Sequence, residues 1–347
     1  MHAVGVDIGG SNLRAALVNT TARRPVPIGY SKTRLASTDP AKIAAQVAGA
    51  VTAAMAAGGA EAAGAPVGIG IAAMLDSKTG VVINAPNLSW RMVDFAAVLR
   101  EVLPYRRIRL FNDLNAIAFG EYQYGAGVEA GVEAGVESLA DREHGRGCND
   151  LLCVFLGTGI GGGIIAGGRL VEGGSGLAGE IGHTKVATGP VARQCGCGAR
   201  GCVEAYVGGQ NLETRARAEL AQLRARGAES LATALAGGDP GQVNPGHLDR
   251  AVQMGDHYAL ALWEEIAPLL GLTLANAVTL LNPSRLVLGG TVIEHAPELK
   301  RRSLAAYATT VNASAGETCQ VADPVLPSGV VGVFGAAALV CSNNATT

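Results

Sequence analysis

Residues 6–17 read VDIGGSNLRAAL and residues 155–165 read FLGTGIGGGII. Each opens on a short apolar, β-branched run, breaks at glycines beside a Ser or Thr, and resumes as a second apolar run. That pattern predicts strand, tight turn and returning strand in both places. One such unit in each half of the chain points to a duplicated architecture of two α/β lobes. A hairpin tip with two glycines exposes backbone N–H groups and a hydroxyl without side-chain obstruction, so it suits phosphate. The candidates are Gly9, Gly10, Ser11 and Asn12 at the first tip, with Asp7 beside them to hold Mg²⁺, and Gly157, Thr158, Gly159 and Gly161 at the second.

Working outward, residues 3–8 and 13–18 are expected strands and 40–63 an alanine-rich helix. Residues 67–72 (VGIGIA) read as a buried strand, 92–103 as a helix and 107–111 (RIRLF) as a strand running into Asn112-Asp113 and a further helix. Residues 151–156 lead through a glycine turn at 157–163 to a strand at 164–171. The remainder reads as helix-rich up to the strand at 285–290, and the tail GVVGVFGAAALV as helix. The uncharged run Ile266–Ser284 is broken by Pro268, Asn276 and Asn282 and ends at Asn-Pro. It is expected as a helix of a large core rather than a membrane span.

Composition narrows the function. The chain has 347 residues, enough for two domains, with 48% hydrophobic and 16% charged residues, which excludes disorder. Lys+Arg is 27 against Asp+Glu 29, a net charge of −2, so no basic excess drives binding to nucleic acid or an anionic membrane. The N-terminus has no basic segment and meets an acid at Asp7, so a secretory signal is not expected. Seven cysteines, three of them in QCGCGARGC, suggest a reducing cytoplasm and a metal site rather than disulfides.

Gly157 to Gly162 also satisfies G-x-G-x-x-G, and Glu180 lies near the spacing of a ribose acid. A dinucleotide fold needs a helix directly after that loop, whereas IIAGGRLV reads as a strand, so a dehydrogenase is disfavoured. No GK[ST] is present, which removes a Walker-type loop. Asn112-Asp113 stands where a strand ends and a helix begins. Asp113 there serves either as a helix cap or as a general base taking a proton from a hydroxyl. The densest signal is Glu180-x-x-His183, then Cys195-x-Cys197-x4-Cys202, then Glu204. Three thiolates and an imidazole complete a tetrahedral zinc shell with no open position, which is a structural site. Glu180 and Glu204 flank it, and carboxylates accept hydrogen bonds from the hydroxyls of a sugar. His2, His144, His247, His257 and His295 lack such neighbours and read as surface or core residues. The triple AGVE repeat at 126–137 reads as an exposed insertion without chemistry.

These residues together resemble the ROK family of repressors and kinases, in particular its bacterial glucokinases. DIGGSNLRAAL and FLGTGIGGGI resemble its two phosphate motifs, GIGI with INAPNLSW its sugar-side loop, FND its catalytic motif, and GEIGH with CGCGARGCVE its zinc signature. LVLGG, with Gly289 and Gly290, and GVFGAAA resemble its adenosine-side glycines and closing helix. The resemblance covers nearly the whole chain outside the AGVE insertion. It implies the two-lobed α/β fold of sugar kinases, actin and Hsp70. The small lobe would be 1–113 plus 332–347 and the large lobe 114–331, with an insertion at 126–149. It implies ATP, Mg²⁺ and structural Zn²⁺, phosphorylation of a hexose at its 6-hydroxyl, a cytoplasmic enzyme and a homodimer. Asp113 would be the base. Asn87, Asn112, Glu180, His183 and Glu204 would bind sugar, with His183 also on zinc through its other ring nitrogen. Ser11 replaces the Thr of many members and keeps the hydroxyl. Ala72-Ala73 replaces a Pro-Gly beside the sugar, which leaves glucose, N-acetylmannosamine, fructose and allose open. A regulator of the same family is disfavoured, because the first phosphate motif begins at residue 7 and the chain is not basic.

Overall fold

The computed structural model describes residues 1–104, 107–128 and 148–342. The expected insertion at 126–149 therefore falls mostly outside the described residues. In chain order the elements are β1 (His2–Ile8), β2 (Asn12–Asn19), β3 (Ile28–Arg34), α1 (Pro40–Gly58), β4 (Val67–Ile71), β5 (Met74–Asp76), β6 (Val81–Ala85), β7 (Trp90–Asp94), α2 (Phe95–Val102), β8 (Ile108–Asn112) and α3 (Asp113–Tyr124). There follow β9 (Leu151–Leu156), β10 (Ile160–Ala166), β11 (Arg169–Leu170), α4 (Glu204–Val207), α5 (Gly209–Ala225), α6 (Leu231–Leu235), α7 (Pro245–Gln253), α8 (His257–Leu281), β12 (Arg285–Gly289), α9 (Thr291–His295), α10 (Pro297–Thr310), α11 (Ala313–Thr318), β13 (Gln320–Ala322) and α12 (Val331–Cys341). Two five-stranded sheets run β3-β2-β1-β4-β8 and β11-β10-β9-β12-β13, and β5-β6-β7 form a small meander.

The chain divides into two compact units. One comprises Met1–Leu152, Gly163–Gly179 and Asp323–Thr347, the other Cys153–Gly162 and Glu180–Ala322. In the first unit β1 and β2 form the expected hairpin, with Asp7 opposite Arg14 and Ile8 opposite Leu13. β4 and β8 extend it in parallel. The long α1 starts cleanly because the Asp39 carboxylate accepts the Lys42 N–H at 3.0 Å and Pro40 opens the helix. The apolar α12 lies directly on the sheet. A Cβ on Gly5 would strike the Val333 carbonyl, and one on Gly68 the Ala336 carbonyl, so glycine at these two strand positions is what lets backbone meet backbone. Buried Glu121 accepts the N–H groups of Ala126, Val325 and Leu326 at 2.9, 3.1 and 2.9 Å, tying the chain entering α12 to the end of α3.

In the second unit α8 is the expected core helix, with Trp263, Ile266, Leu270, Leu274 and Val278 buried. Both Pro40–Ala62 and His257–Leu281 are long and apolar enough to cross a membrane. In α8, Gly271 lies against the backbone of Ser303 and Tyr307, which draws α10 close. Buried Asp249 accepts from Trp263 Nε1 at 3.0 Å and from the N–H groups of Glu298 and Leu299 at the start of α10.

Two expectations are revised. Residues 92–103 are not one helix: Trp90–Asp94 is a strand paired with β6, and α2 begins only at Phe95, capped by the Asp94 carboxylate at 2.9 Å from the Ala97 nitrogen. The glycine turn is also shorter than 157–163. The return strand starts at Ile160 and holds Gly161, Gly162 and Gly163. A Cβ on Gly163 would collide with that of Ala118, so this glycine serves the packing of β10 on α3 rather than a turn.

Candidate active site

In the first unit the tip of the β1–β2 hairpin is closed by the Gly9 N–H donating to the Asn12 carbonyl at 3.0 Å, which leaves Gly10 and Ser11 exposed. Asn87, just before β7, packs its side chain 3.4 Å from where a Gly10 Cβ would stand, so the loop before β7 touches the tip of the first glycine hairpin. Asp7 is buried under Gly332 of α12, and its Oδ2 accepts from Arg14 Nη1 at 2.7 Å. Burial raises the Asp7 carboxyl above its usual range, and the Arg14 charge opposes that rise. Arg14 was not a sequence candidate. The strand register that puts it opposite Asp7 is the signal that could have found it. One carboxylate with water and phosphate oxygens is how Mg²⁺ is usually held, so Asp7 fits that role.

The sequence left open whether Asp113 caps its helix. Asn112 is the cap: its Oδ1 accepts the N–H groups of Leu114 and Asn115 at 2.9 and 3.1 Å. Its Nδ2 donates to the Ala73 carbonyl at 3.1 Å, so Asn112 also pins the Ala72-Ala73 loop. Asp113 is the first helical residue, with Oδ1 2.9 Å from the Leu114 nitrogen. Helix capping thus falls to Asn112, and the Asp113 carboxylate sits in the first turn of α3.

In the second unit the tip Gly157–Gly159 is anchored from behind. Gly209 and Gln210 donate their N–H groups to the carbonyls of Gly157 and Thr158 at 3.0 and 2.9 Å. Thr158 is exposed and lines a cavity of about 390 Å³ with Gln210, Glu213, Asn244, Thr291 and His295. The first turns of α5 and α7 border it. Gly290, with φ 96°, passes so close to the Leu156 backbone that a Cβ has no room, and this delivers Thr291 to the cavity wall. Gly161 lies behind the tip inside β10. Sequence reasoning missed Gln210 and Glu213 of α5, Asn244 at the start of α7, and Thr291 and His295 of α9, three segments far apart in the chain.

His183, Cys195, Cys197 and Cys202 converge, with their ligand atoms within 4.8 Å of one another. Cys197 Sγ to Cys202 Sγ is 3.7 Å and Cys195 Sγ to His183 Nδ1 is 3.8 Å. A tetrahedron with Zn–S near 2.3 Å has edges of about 3.8 Å, which these two separations match, so the donor set suits zinc. Burial pushes the Cys195 thiol up to about 12, and Lys185 Nζ lies 2.8 Å from Cys202 Sγ. A desolvated thiol of that kind becomes a thiolate when a cation is bound. Facing the opposite ring nitrogen, Glu180 Oε2 is 3.7 Å from His183 Nε2, too far for a hydrogen bond. Burial raises the Glu180 carboxyl, His183 lowers it, and nearby Glu204 raises it further. Glu204 Oε1 is 3.7 Å from Cys195 Sγ, and its Oε2 accepts the Ile160 N–H at 2.9 Å. Glu204 therefore joins the metal cluster to the second glycine hairpin.

The ROK family model matches residues 3–343. The chain belongs to the ROK family. It is 33% identical over 295 residues to a glucokinase of Streptomyces coelicolor, covering 83% of this chain and 81% of that one. It is 32% identical over 231 residues to an N-acetylmannosamine kinase of Shigella boydii, covering 65% and 68%. Its fold superposes with a TM-score of 0.70 on a ROK family glucokinase from Streptomyces griseus in complex with glucose and AMPPNP, at 30% identity and covering 98% and 99%. The α/β fold of sugar kinases, expected from the family resemblance, is thus the fold of this ROK protein.

Proposed function

We propose that this ROK protein is an ATP-dependent glucokinase, transferring the γ-phosphoryl group of ATP to the 6-hydroxyl of glucose. The observation that carries the reading is Glu204, which ends the zinc signature yet bonds the backbone of the glycine hairpin at Ile160. A sugar-facing wall and a phosphate-facing loop are thereby built from one piece of structure. The kinship to the Streptomyces coelicolor glucokinase supports glucose as the acceptor.

In this account Asp113 takes the proton of the 6-hydroxyl as that oxygen attacks the γ-phosphorus, and ADP leaves with the bond to its β-phosphate oxygen broken. Asn87, Asn112, Glu180, His183 and Glu204 orient the sugar through its hydroxyls. Gly9, Gly10, Ser11 and Asn12 at one tip, and Gly157, Thr158, Gly159 and Gly161 around the other, hold phosphates, and Gly289 and Gly290 shape the adenosine side. Asp7 would hold Mg²⁺, which when bound neutralises phosphate charge. His183, Cys195, Cys197 and Cys202 would hold Zn²⁺ as a structural ion, its four positions filled by protein. We place the enzyme in the cytoplasm as a homodimer on the family resemblance.

A second reading, a kinase for N-acetylmannosamine, is favoured by the 32% identity to such an enzyme and by Ala72-Ala73, which the Asn112 amide holds. Coupled measurement of ADP formation with glucose, mannose, fructose, allose and N-acetylmannosamine separates the two. Glucose should give the highest kcat/KM. A higher value with N-acetylmannosamine establishes the second reading, and no sugar-dependent ADP formation removes both.

A further inference from the structure

His295 ends α9 and lines the same cavity as Thr158. Its Nδ1 lies 2.7 Å from the Thr291 carbonyl oxygen. A carbonyl has no proton to give, so Nδ1 is the donor, and the neutral ring carries its lone pair on Nε2. The tautomer is thus fixed by the helix itself. Several other acceptors on the cavity wall are already engaged. Asn244 Oδ1 takes the His247 N–H at 3.0 Å, and Glu213 is paired with Arg217 at 2.7 Å. The backbone carbonyls of Gly157 and Thr158 take the N–H groups of Gly209 and Gln210. With Nδ1 donating to the helix, Nε2 is the ring atom that can accept from a ligand, beside the side chains of Thr158, Gln210 and Thr291.

A purine is read most simply at its 6-position. Adenine carries an amino group there, a donor, and guanine an oxo group, an acceptor. An acceptor on the protein pairs with the first and is opposed by the second, leaving both groups without a partner. We propose that His295 selects adenine over guanine nucleotides by accepting a hydrogen bond from the 6-amino group through Nε2. The inference rests on the reading of this cavity as the nucleotide site. Glu213 is the competing candidate for the base, because a carboxylate facing the N1–H and 2-amino group of guanine would favour guanine instead.

The test is calorimetric titration of the intact chain with ADP and with GDP, each with Mg²⁺ and without sugar, in wild type, His295→Ala and His295→Lys. His295 is exposed, so both variants should fold, and thermal denaturation checks this. Wild type should bind ADP at least about tenfold more tightly than GDP. His295→Ala should lose most of that ratio through weaker ADP binding, and His295→Lys, a donor only, should shift it toward GDP. An unchanged ADP:GDP ratio in His295→Ala overturns the role of His295 while leaving the nucleotide reading of the cavity intact. A wild type that prefers GDP also overturns it and hands the base to Glu213. Binding of neither nucleotide overturns this inference together with the nucleotide reading of the cavity.

Discussion

Glu204 Oε2 accepts the Ile160 N–H at 2.9 Å, and a Cβ on Gly159 would run into the same carboxylate oxygen. The second glycine hairpin therefore has a structural reason for its glycine, Glu204 behind it, apart from the phosphate proposed in front. Ile160 is buried, so its N–H has no water to turn to if that carboxylate leaves. An unpaired buried donor costs about 1–3 kcal/mol.

Gly159→Val should accordingly weaken sugar and nucleotide together, because the new side chain displaces Glu204 while it alters the loop. Glu204→Ala should also lose affinity for both ligands. Glu204→Gln keeps an acceptor for Ile160, so it should weaken sugar yet spare ADP. Separate titrations of ADP and sugar on the three variants check this. Equal loss of ADP affinity in Glu204→Gln and Glu204→Ala would show that the Ile160 bond does not hold the loop.

Asp7 gives a pH signature. Its carboxyl sits above the usual aspartate value of 3.8 because burial disfavours the charge. The protonated form is then favoured by folding, so its contribution is fully present below 3.8 and is lost as pH rises through the elevated value. The stability of wild type minus that of Asp7→Asn should fall over that interval as pH rises and level off above it. Arg14→Met removes the opposing charge and should move the interval upward. Denaturant melts of the three proteins across pH 3–8 read this, and a difference curve that rises with pH contradicts it.

The hairpins were legible because each is local: a short apolar run on either side of a glycine turn marks both strands, although the register that sets Asp7 against Arg14 was not read from it. The metal cluster was legible for the same reason, since Cys195, Cys197 and Cys202 lie within one short loop and only His183 comes from further off. Trp90–Asp94 was misread because five residues carry too little pattern to stand against the helix that follows, although Asp94 was there as its cap. Gly163 was misread as a turn because its reason, contact with Ala118, is tertiary. The cavity wall was illegible: Gln210, Asn244 and His295 sit on α5, at the start of α7 and on α9, and nothing in any one segment announces the others.

Zinc should be structural. Cys195→Ala should lose the metal, lower the melting temperature and weaken sugar binding more than ADP binding, because Glu180, His183 and Glu204 all lean on the cluster. Elemental analysis, thermal melts and sugar titration on one preparation check it. Metal-free protein that binds sugar with unchanged affinity contradicts it.

The AGVE repeat should be removable only in part. Ala126 is buried and its N–H bonds Glu121 Oε2, while the Cys148 N–H donates to the Gly127 carbonyl at 3.1 Å, so the two ends lie side by side. Replacing 129–147 with two glycines should leave the melting temperature and turnover nearly unchanged, whereas removing 126–137 should destabilise by taking the Ala126 N–H from buried Glu121, which keeps only Val325 and Leu326. A short-linker variant that folds but loses turnover would give the repeat a function of its own.

The most direct test of the central claim is the rate of glucose 6-phosphate formation from ATP and glucose by wild type and by Asp113→Asn. The asparagine keeps the size of the side chain and cannot take the proton of the 6-hydroxyl. The account predicts glucose-dependent turnover in wild type and a kcat lower by about 10²–10⁴-fold in the variant, with sugar affinity largely kept. Turnover by Asp113→Asn at the wild-type rate, or no glucose 6-phosphate from wild type, contradicts it.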